Sequence, residues 1–88
     1  MPSSSVEVIN AVGLHATPLA QFVSLARSFA ETTIRVRCGE READGKSLFG
    51  MLALEALKGT IIEITTDGLQ AGEALQALTA LVESGFTG

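Results

Sequence analysis

The 88-residue sequence predicts an α+β fold, an open-faced sandwich in which a four-stranded, mostly antiparallel sheet carries three helices on one face. Two observations predict it. Short stretches of alternating apolar and polar residues interleave with stretches of helical apolar spacing, in the order β-α-β-β-α-β-α. The alternating stretches need a cover on one face only, and three helical segments are available to provide it. The length fits one domain over residues 1–88, with no internal repeat and no linker.

The elements follow in order. Residues 6–10 alternate briefly, as a short half-buried strand does. Residues 11–14 form a loop in which Gly13 supplies backbone freedom. A helix over residues 16–30 follows, with Leu19, Phe22, Val23, Ala26, Phe29 and Ala30 on one face and Pro18 in a first turn that needs no N–H from it. Residues 33–38 give the clearest strand, with Ile34, Val36 and Cys38 pointing one way and Thr33, Arg35 and Arg37 the other. Gly39-Glu40 suits a type II′ turn, with glycine at its first central position, and Arg41 to Asp44 returns as a charged edge strand. Asp44-Gly45 then breaks the pattern.

Ser47 is placed as the N-cap of a short helix that Gly50 weakens. Leu48, Phe49, Met51 and Leu52 are too many apolar residues for one face of it. Either part of the group is exposed as a protein-binding surface, or all four tuck under the preceding loop. Residues 60–66 read as a β-branched strand with Ile62 and Ile64 inward, and Asp67-Gly68 turns the chain. Residues 70–83 carry Ala71, Ala74, Leu75, Leu78, Leu81 and Val82 as a core-facing helical stripe, which Gly85 ends.

Composition excludes several functions. Ten acidic and six scattered basic residues give a net charge of −4, which argues against nucleic acid as a partner. One cysteine, Cys38, can form no internal disulfide and has no metal-ligand spacing around it, so no metal and no cofactor are expected. The first residues lack the charged and apolar regions of a signal peptide, and no apolar run approaches membrane-spanning length. A cytoplasmic protein without a membrane partner is expected. Paired carboxylates in a cleft, metal clusters and glycine-rich nucleotide loops are missing from the sequence, which argues against a self-contained enzyme.

His15, the only histidine, falls at or just before a helix N-terminus. Unpaired backbone N–H groups and the helix dipole favour an anion there, and a neutral imidazole is a competent nucleophile. By itself the hexapeptide Gly13-Leu14-His15-Ala16-Thr17-Pro18 equally describes a surface histidine near a helix cap.

The element order and the local motifs together resemble the histidine-containing phosphocarrier (HPr) family of the bacterial sugar phosphotransferase system. The residues that carry the resemblance are Gly13-Leu14-His15 with Pro18, Gln21-Phe22-Val23, Lys46-Ser47-Leu48-Phe49-Gly50, Gly59, Ile62-Glu63-Ile64 and Asp67-Gly68. The resemblance spans essentially the whole chain. It implies that His15 accepts a phosphoryl group on Nδ1 from phosphorylated enzyme I and passes it to a sugar-specific IIA component. It implies the amides of Ala16 and Thr17 as phosphoryl-stabilising groups, and a shared docking surface around Leu48, Phe49 and Leu52. Ser47 matches the family's regulatory serine, the target in some bacteria of an HPr kinase that creates a corepressor for a catabolite-control transcription factor; the other reading of Ser47 is a plain helix cap. A monomer suits a carrier that shows one small face to several partners.

The sequence departs from the family in four places. Thr17 replaces the arginine usual two residues after the histidine, so a neutral donor stands where a charge-assisted one is expected. Lys46 is the expected substitute charge, since ten helical residues put Arg27 about 15 Å along the axis. Thr17 could alternatively cap the helix from outside and start it later. Ser24 and Gly50 stand where lysine is frequent, which predicts weaker electrostatic steering or a partner of different charge pattern. Glu55 stands where glycine is common, which predicts a differently shaped loop.

Overall fold

The computed structural model describes residues 2–11, 13–14 and 16–86. It contains β1 (Ser3–Glu7), α1 (Ala16–Arg27), β2 (Thr32–Cys38), β3 (Arg41–Asp44), α2 (Leu48–Leu52), β4 (Ile61–Gly68) and α3 (Ala71–Glu83). The strands lie in the order β1-β4-β2-β3, and every neighbouring pair is antiparallel. The open-faced sandwich is therefore the fold.

Strand alternation decides which face is covered. Ile34 and Val36 on β2, Ile62 and Ile64 on β4 and Val6 on β1 are buried beneath the helices. On the helical side α1 contributes Leu19, Phe22, Val23 and Ala26, α3 contributes Ala74, Leu78 and Val82, and α2 contributes Met51. Burying each large side chain among these stabilises the fold by roughly 1.5–3 kcal/mol. Exposed ion pairs such as Arg35–Glu42 and Arg37–Glu63 on the open sheet face contribute far less. Core burial, not charge pairing, holds the layers together.

Three boundaries differ from the sequence pattern. β1 starts at Ser3, where residues 6–10 were expected, because Ser3 to Glu7 pair with Thr65 to Ile61 through backbone groups that serine supplies as well as valine. Val8, just past the strand, is still buried and keeps two further backbone bonds, its N–H donating to Thr60 and its carbonyl accepting from Gly59. α1 stops at Arg27, short of residue 30: the Ser28 N–H is shared between the Ser24 and Leu25 carbonyls, and the Phe29 N–H reaches back only to Ala26. β4 runs on through Asp67 and Gly68, which pair with Thr33 and Thr32. Gly68 has φ 122°, and a Cβ there would lie 2.5 Å from the Glu31 carbonyl oxygen. It is a point of close backbone approach within the strand.

Two termini form as their residues predict. Gly39 takes φ 64° at the first central position of the β2–β3 hairpin, as a type II′ turn requires. α3 closes with Gly85 at φ 69°, its N–H donating to the Val82 carbonyl and that of Phe86 to Leu81, the paired bonds of a Schellman motif.

Candidate functional site

His15 lies outside the described residues, but the chain on both sides of it is fixed. On its N-terminal side the loop is braced internally. The Asn10 side chain donates from Nδ2 to the Gly13 carbonyl at 2.6 Å, and the Gly13 N–H donates to the Asn10 carbonyl at 3.1 Å. The buried Leu14 then donates its N–H to the Ala56 carbonyl at 2.8 Å, which ties this loop to the one after α2. Gly13 sits so close to that second loop that a Cβ on it would fall 2.5 Å from the Ala56 carbonyl oxygen and 2.9 Å from the Leu57 Cα. Its φ of 65° also favours glycine.

On the C-terminal side α1 begins at Ala16, so Thr17 lies within the first turn and does not cap the helix from outside. The first N–H groups of an α-helix have no intrahelical acceptor, and Ala16 and Thr17, both exposed, occupy that position. Ala16 has φ 53°, a left-handed conformation that costs an L-residue about 1–2 kcal/mol. The residue directly after His15 is thus held in a strained backbone state by the anchored loop before it and the packed helix after it.

The start of α2 lies beside the end of α1, where Arg27 bonds the Lys46 carbonyl, and the loop after α2 reaches the chain leading into α1, where Leu14 bonds the Ala56 carbonyl. Ser47 is the N-cap of α2, its Oγ accepting from the Gly50 N–H at 3.1 Å. Of the apolar group on this helix, Met51 is fully buried, whereas Leu48, Phe49 and Leu52 are 41%, 83% and 43% exposed. Leu48 shares a shallow groove with Ala20, Val23, Ser24 and Arg27 of α1.

Lys46 does not approach the start of α1. Its Nζ donates to the Phe29 carbonyl at 2.7 Å, while the Lys46 carbonyl accepts from Arg27 Nε at 2.9 Å. Both cations therefore sit at the C-terminal end of α1, where they complement the helix dipole. Phe29 lies twelve residues beyond Thr17, about 18 Å along a helix axis. The expectation that Lys46 replaces the arginine missing at position 17 fails for that reason.

Glu55 adopts φ 55°, a conformation that glycine takes without a Cβ penalty. Its carboxylate bonds Arg41 of β3 at 2.6 Å, which holds the Arg41 guanidinium pKa above its usual value. Asn10 and Ala56 are structural parts of the site that the motif reading missed. Asn10 carried a usable signal, a turn-forming side chain three residues before a glycine. The Ala56 carbonyl carried none, because any residue could supply it.

A braced loop leading into a helix N-terminus, beside a short capped helix with an exposed apolar face, is the architecture of a small carrier protein. Residues 2–84 match the family model for the PTS HPr component phosphorylation site. The phosphocarrier protein HPr of Neisseria meningitidis serogroup A is 40% identical over 86 residues, covering 98% of this chain and 96% of that protein. The phosphocarrier protein NPr of Escherichia coli K12 is 40% identical over 83 residues, covering 93% and 91%. The crystal structure of HPr-C-His from Thermoanaerobacter tengcongensis matches with a TM-score of 0.95 at 33% identity, over 100% of this chain and 98% of that one. The chain belongs to the HPr family of phosphotransferase-system phosphocarrier proteins.

Proposed function

We propose that this chain is a phosphocarrier in which His15 accepts a phosphoryl group from phospho-enzyme I and delivers it to a sugar-specific IIA component. It is a pathway intermediate and not an enzyme with its own turnover. It works as one domain over residues 1–88, as a monomer in the cytoplasm. The observation that carries the reading is the position of the sole histidine, between an anchored Gly13-Leu14 and the first residue of α1.

The chemistry follows from that position. The neutral imidazole attacks phosphorus with its Nδ1 lone pair; the new P–N bond forms as the bond from phosphorus to the donor breaks. The group arrives beside the Ala16 and Thr17 amides and the positive end of α1, which stabilise its oxygens electrostatically. Pro18 has no N–H to add. The Thr17 hydroxyl supplies one neutral donor, so the phosphoryl group is held less tightly than by a guanidinium. Delivery reverses the steps, with a nucleophile of the acceptor displacing the imidazole. Leu48, Phe49 and Leu52 are the surface on which donor and acceptor dock in turn. Ser47 is the regulatory position, a substrate for an HPr kinase whose product a catabolite-control transcription factor reads; a phosphate there would sit beside the exposed Leu48 and Phe49 and disturb docking more than the fold.

A second reading, a regulatory binding module with weak transfer, is favoured by the neutral Thr17. Intact-mass analysis after incubation with enzyme I, phosphoenolpyruvate and Mg²⁺ separates the two. An acid-labile phosphoryl adduct on the wild type and none on His15→Ala is the expected result. A wild type that stays unmodified by its cognate enzyme I would refute the carrier reading.

A further inference from the structure

Two contacts set the register of the loop before α1 against the loop after α2. The Leu14 N–H donates to the Ala56 carbonyl at 2.8 Å, and a Cβ on Gly13 would fall 2.9 Å from the Leu57 Cα. As one chain steps from Gly13 to Leu14, the other steps from Leu57 to Ala56, so the two run in opposite directions. The next step leads to His15 on one side and to Glu55 on the other. Residues opposed in an antiparallel register have Cβ atoms about 4.5–5.5 Å apart, within reach of a carboxylate and an imidazole. Glu55 is also the only acidic residue in residues 8–30 and 45–60. Among the described non-glycine residues only Ala16, Glu55 and Phe86 have a positive φ. Two of these three strained positions are thus the neighbours of His15, one along the chain and one across the register. The charged groups that accompany Glu55 are Arg41 of β3, whose Nη1 bonds Glu55 Oε2 at 2.6 Å, and the exposed Lys58 three residues on. Arg27 and Lys46 are engaged at the far end of α1.

We propose that Glu55 is a positioning residue for His15, its carboxylate accepting the imidazole Nε2–H and so leaving the lone pair on Nδ1. This deepens the carrier reading and rests on it for its part in transfer. The hydrogen bond made by one ring nitrogen decides the state of the other. When Nδ1 attacks phosphorus, its lone pair makes the P–N bond and the pair of the broken bond leaves with the donor. The proton stays on Nε2, so the ring becomes a cation, and the carboxylate beside it stabilises that charge. On delivery the acceptor's nucleophile takes the phosphoryl group, the P–N pair returns to Nδ1, and a neutral imidazole is left. A ring kept protonated on Nε2 is the better leaving group. Arg41 and Lys58 work against the carboxylate, since each cation disfavours charge on the ring.

The test is the titration of His15, followed by NMR of its imidazole in the full unphosphorylated chain. Glu55→Gln is expected to lower the His15 pKa by about half a pKa unit or more, because the charge that favours the imidazolium is gone. Arg41→Gln is expected to raise it, because Glu55 then acts on the ring without its counter-ion. Transfer from the phosphorylated Glu55→Gln chain to its acceptor is expected to be about threefold slower at pH 8 and unchanged at pH 6, where the ring is protonated without help. A His15 pKa that Glu55→Gln leaves in place overturns the proposal. So does a pKa that falls in both variants, which marks a distorted loop and not a charge beside the ring. Opposite displacements in the two variants without any adduct from enzyme I would leave the Glu55–His15 pair standing and remove the carrier reading instead.

Discussion

Substituting alanine for three glycines separates the physical terms that hold the His15 loop in place. Gly72 lies in α3 with open space around its Cβ position and no positive φ. Gly72→Ala is therefore expected to stabilise by about 0.5–1 kcal/mol, the ordinary helical preference. Gly39 also has open space, but its φ is 64°. Gly39→Ala meets a left-handed penalty of about 1–2 kcal/mol, offset in part by a less flexible unfolded chain, for a net loss of about 1 kcal/mol. Gly13 carries both the positive φ and the crowding against backbone atoms of Ala56 and Leu57. Those atoms cannot rotate away as a side chain would, so the two loops must separate and the Leu14–Ala56 hydrogen bond is lost, about 1 kcal/mol more. Gly13→Ala is expected to cost about 2–3 kcal/mol in total, and each kcal/mol lowers Tm by roughly 4–8 °C in a domain of this size. Urea and thermal denaturation followed by far-ultraviolet circular dichroism read the series. Phosphoryl transfer from enzyme I is expected to slow in Gly13→Ala alone. If Gly13→Ala costs no more than Gly39→Ala, the close approach of the two loops does not support the site and the reasoning fails.

Three other substitutions test the remaining parts. Glu55→Gly and Glu55→Ala both lose the bond to Arg41 but differ at φ 55°, so the glycine variant should be the more stable by about 1 kcal/mol in denaturant melts, the reverse of their order in a helix. Lys46→Ala should destabilise by about 1 kcal/mol through loss of its bond at the end of α1, yet leave the phosphorylation rate of His15 at the wild-type value; a slowed transfer would restore Lys46 to the site. Ser47→Ala should cost about 1 kcal/mol by leaving the Gly50 N–H without its acceptor, whereas Ser47→Asn should retain most of that stability, as chemical denaturation will read.

The sequence patterns reveal side-chain facing well and backbone pairing poorly. Val6, Ile34, Val36, Ile62 and Ile64 are inward as the alternation requires, and Ala74, Leu78 and Val82 form the buried centre of the predicted α3 stripe. The start of β1 was illegible because three serines pair through their backbones without an apolar signature. Ser47 could be placed as a helix cap from local chemistry, whereas Thr17 read equally as a first-turn residue or a cap until α1 was seen to begin at Ala16. The partner of Lys46 could not, since a flexible cation reaches whichever carbonyl the tertiary fold brings near, and α2 brings it to the end of α1. The same limit hid the Leu14–Ala56 link, a contact between two main chains that any residue types can make. Glu55 shows the converse: a residue type that argues for a new loop shape sits in a backbone state set by the loop itself.

The place of β4 in the sheet has a consequence for the order in which the molecule can be made. It comes last of the strands along the chain, yet lies between β1 and β2 and pairs with both. A nascent chain that has not yet released Ile61–Gly68 can close the β2–β3 hairpin, but β1 has no ladder to join. Its long-range pairings must wait for the loop entropy to be overcome late in synthesis. The Ala56 carbonyl that anchors Leu14 reaches its position on the same schedule, just ahead of that strand. A chain arrested before β4 therefore carries its histidine without the frame around it, and competence to accept a phosphoryl group arrives together with the finished fold.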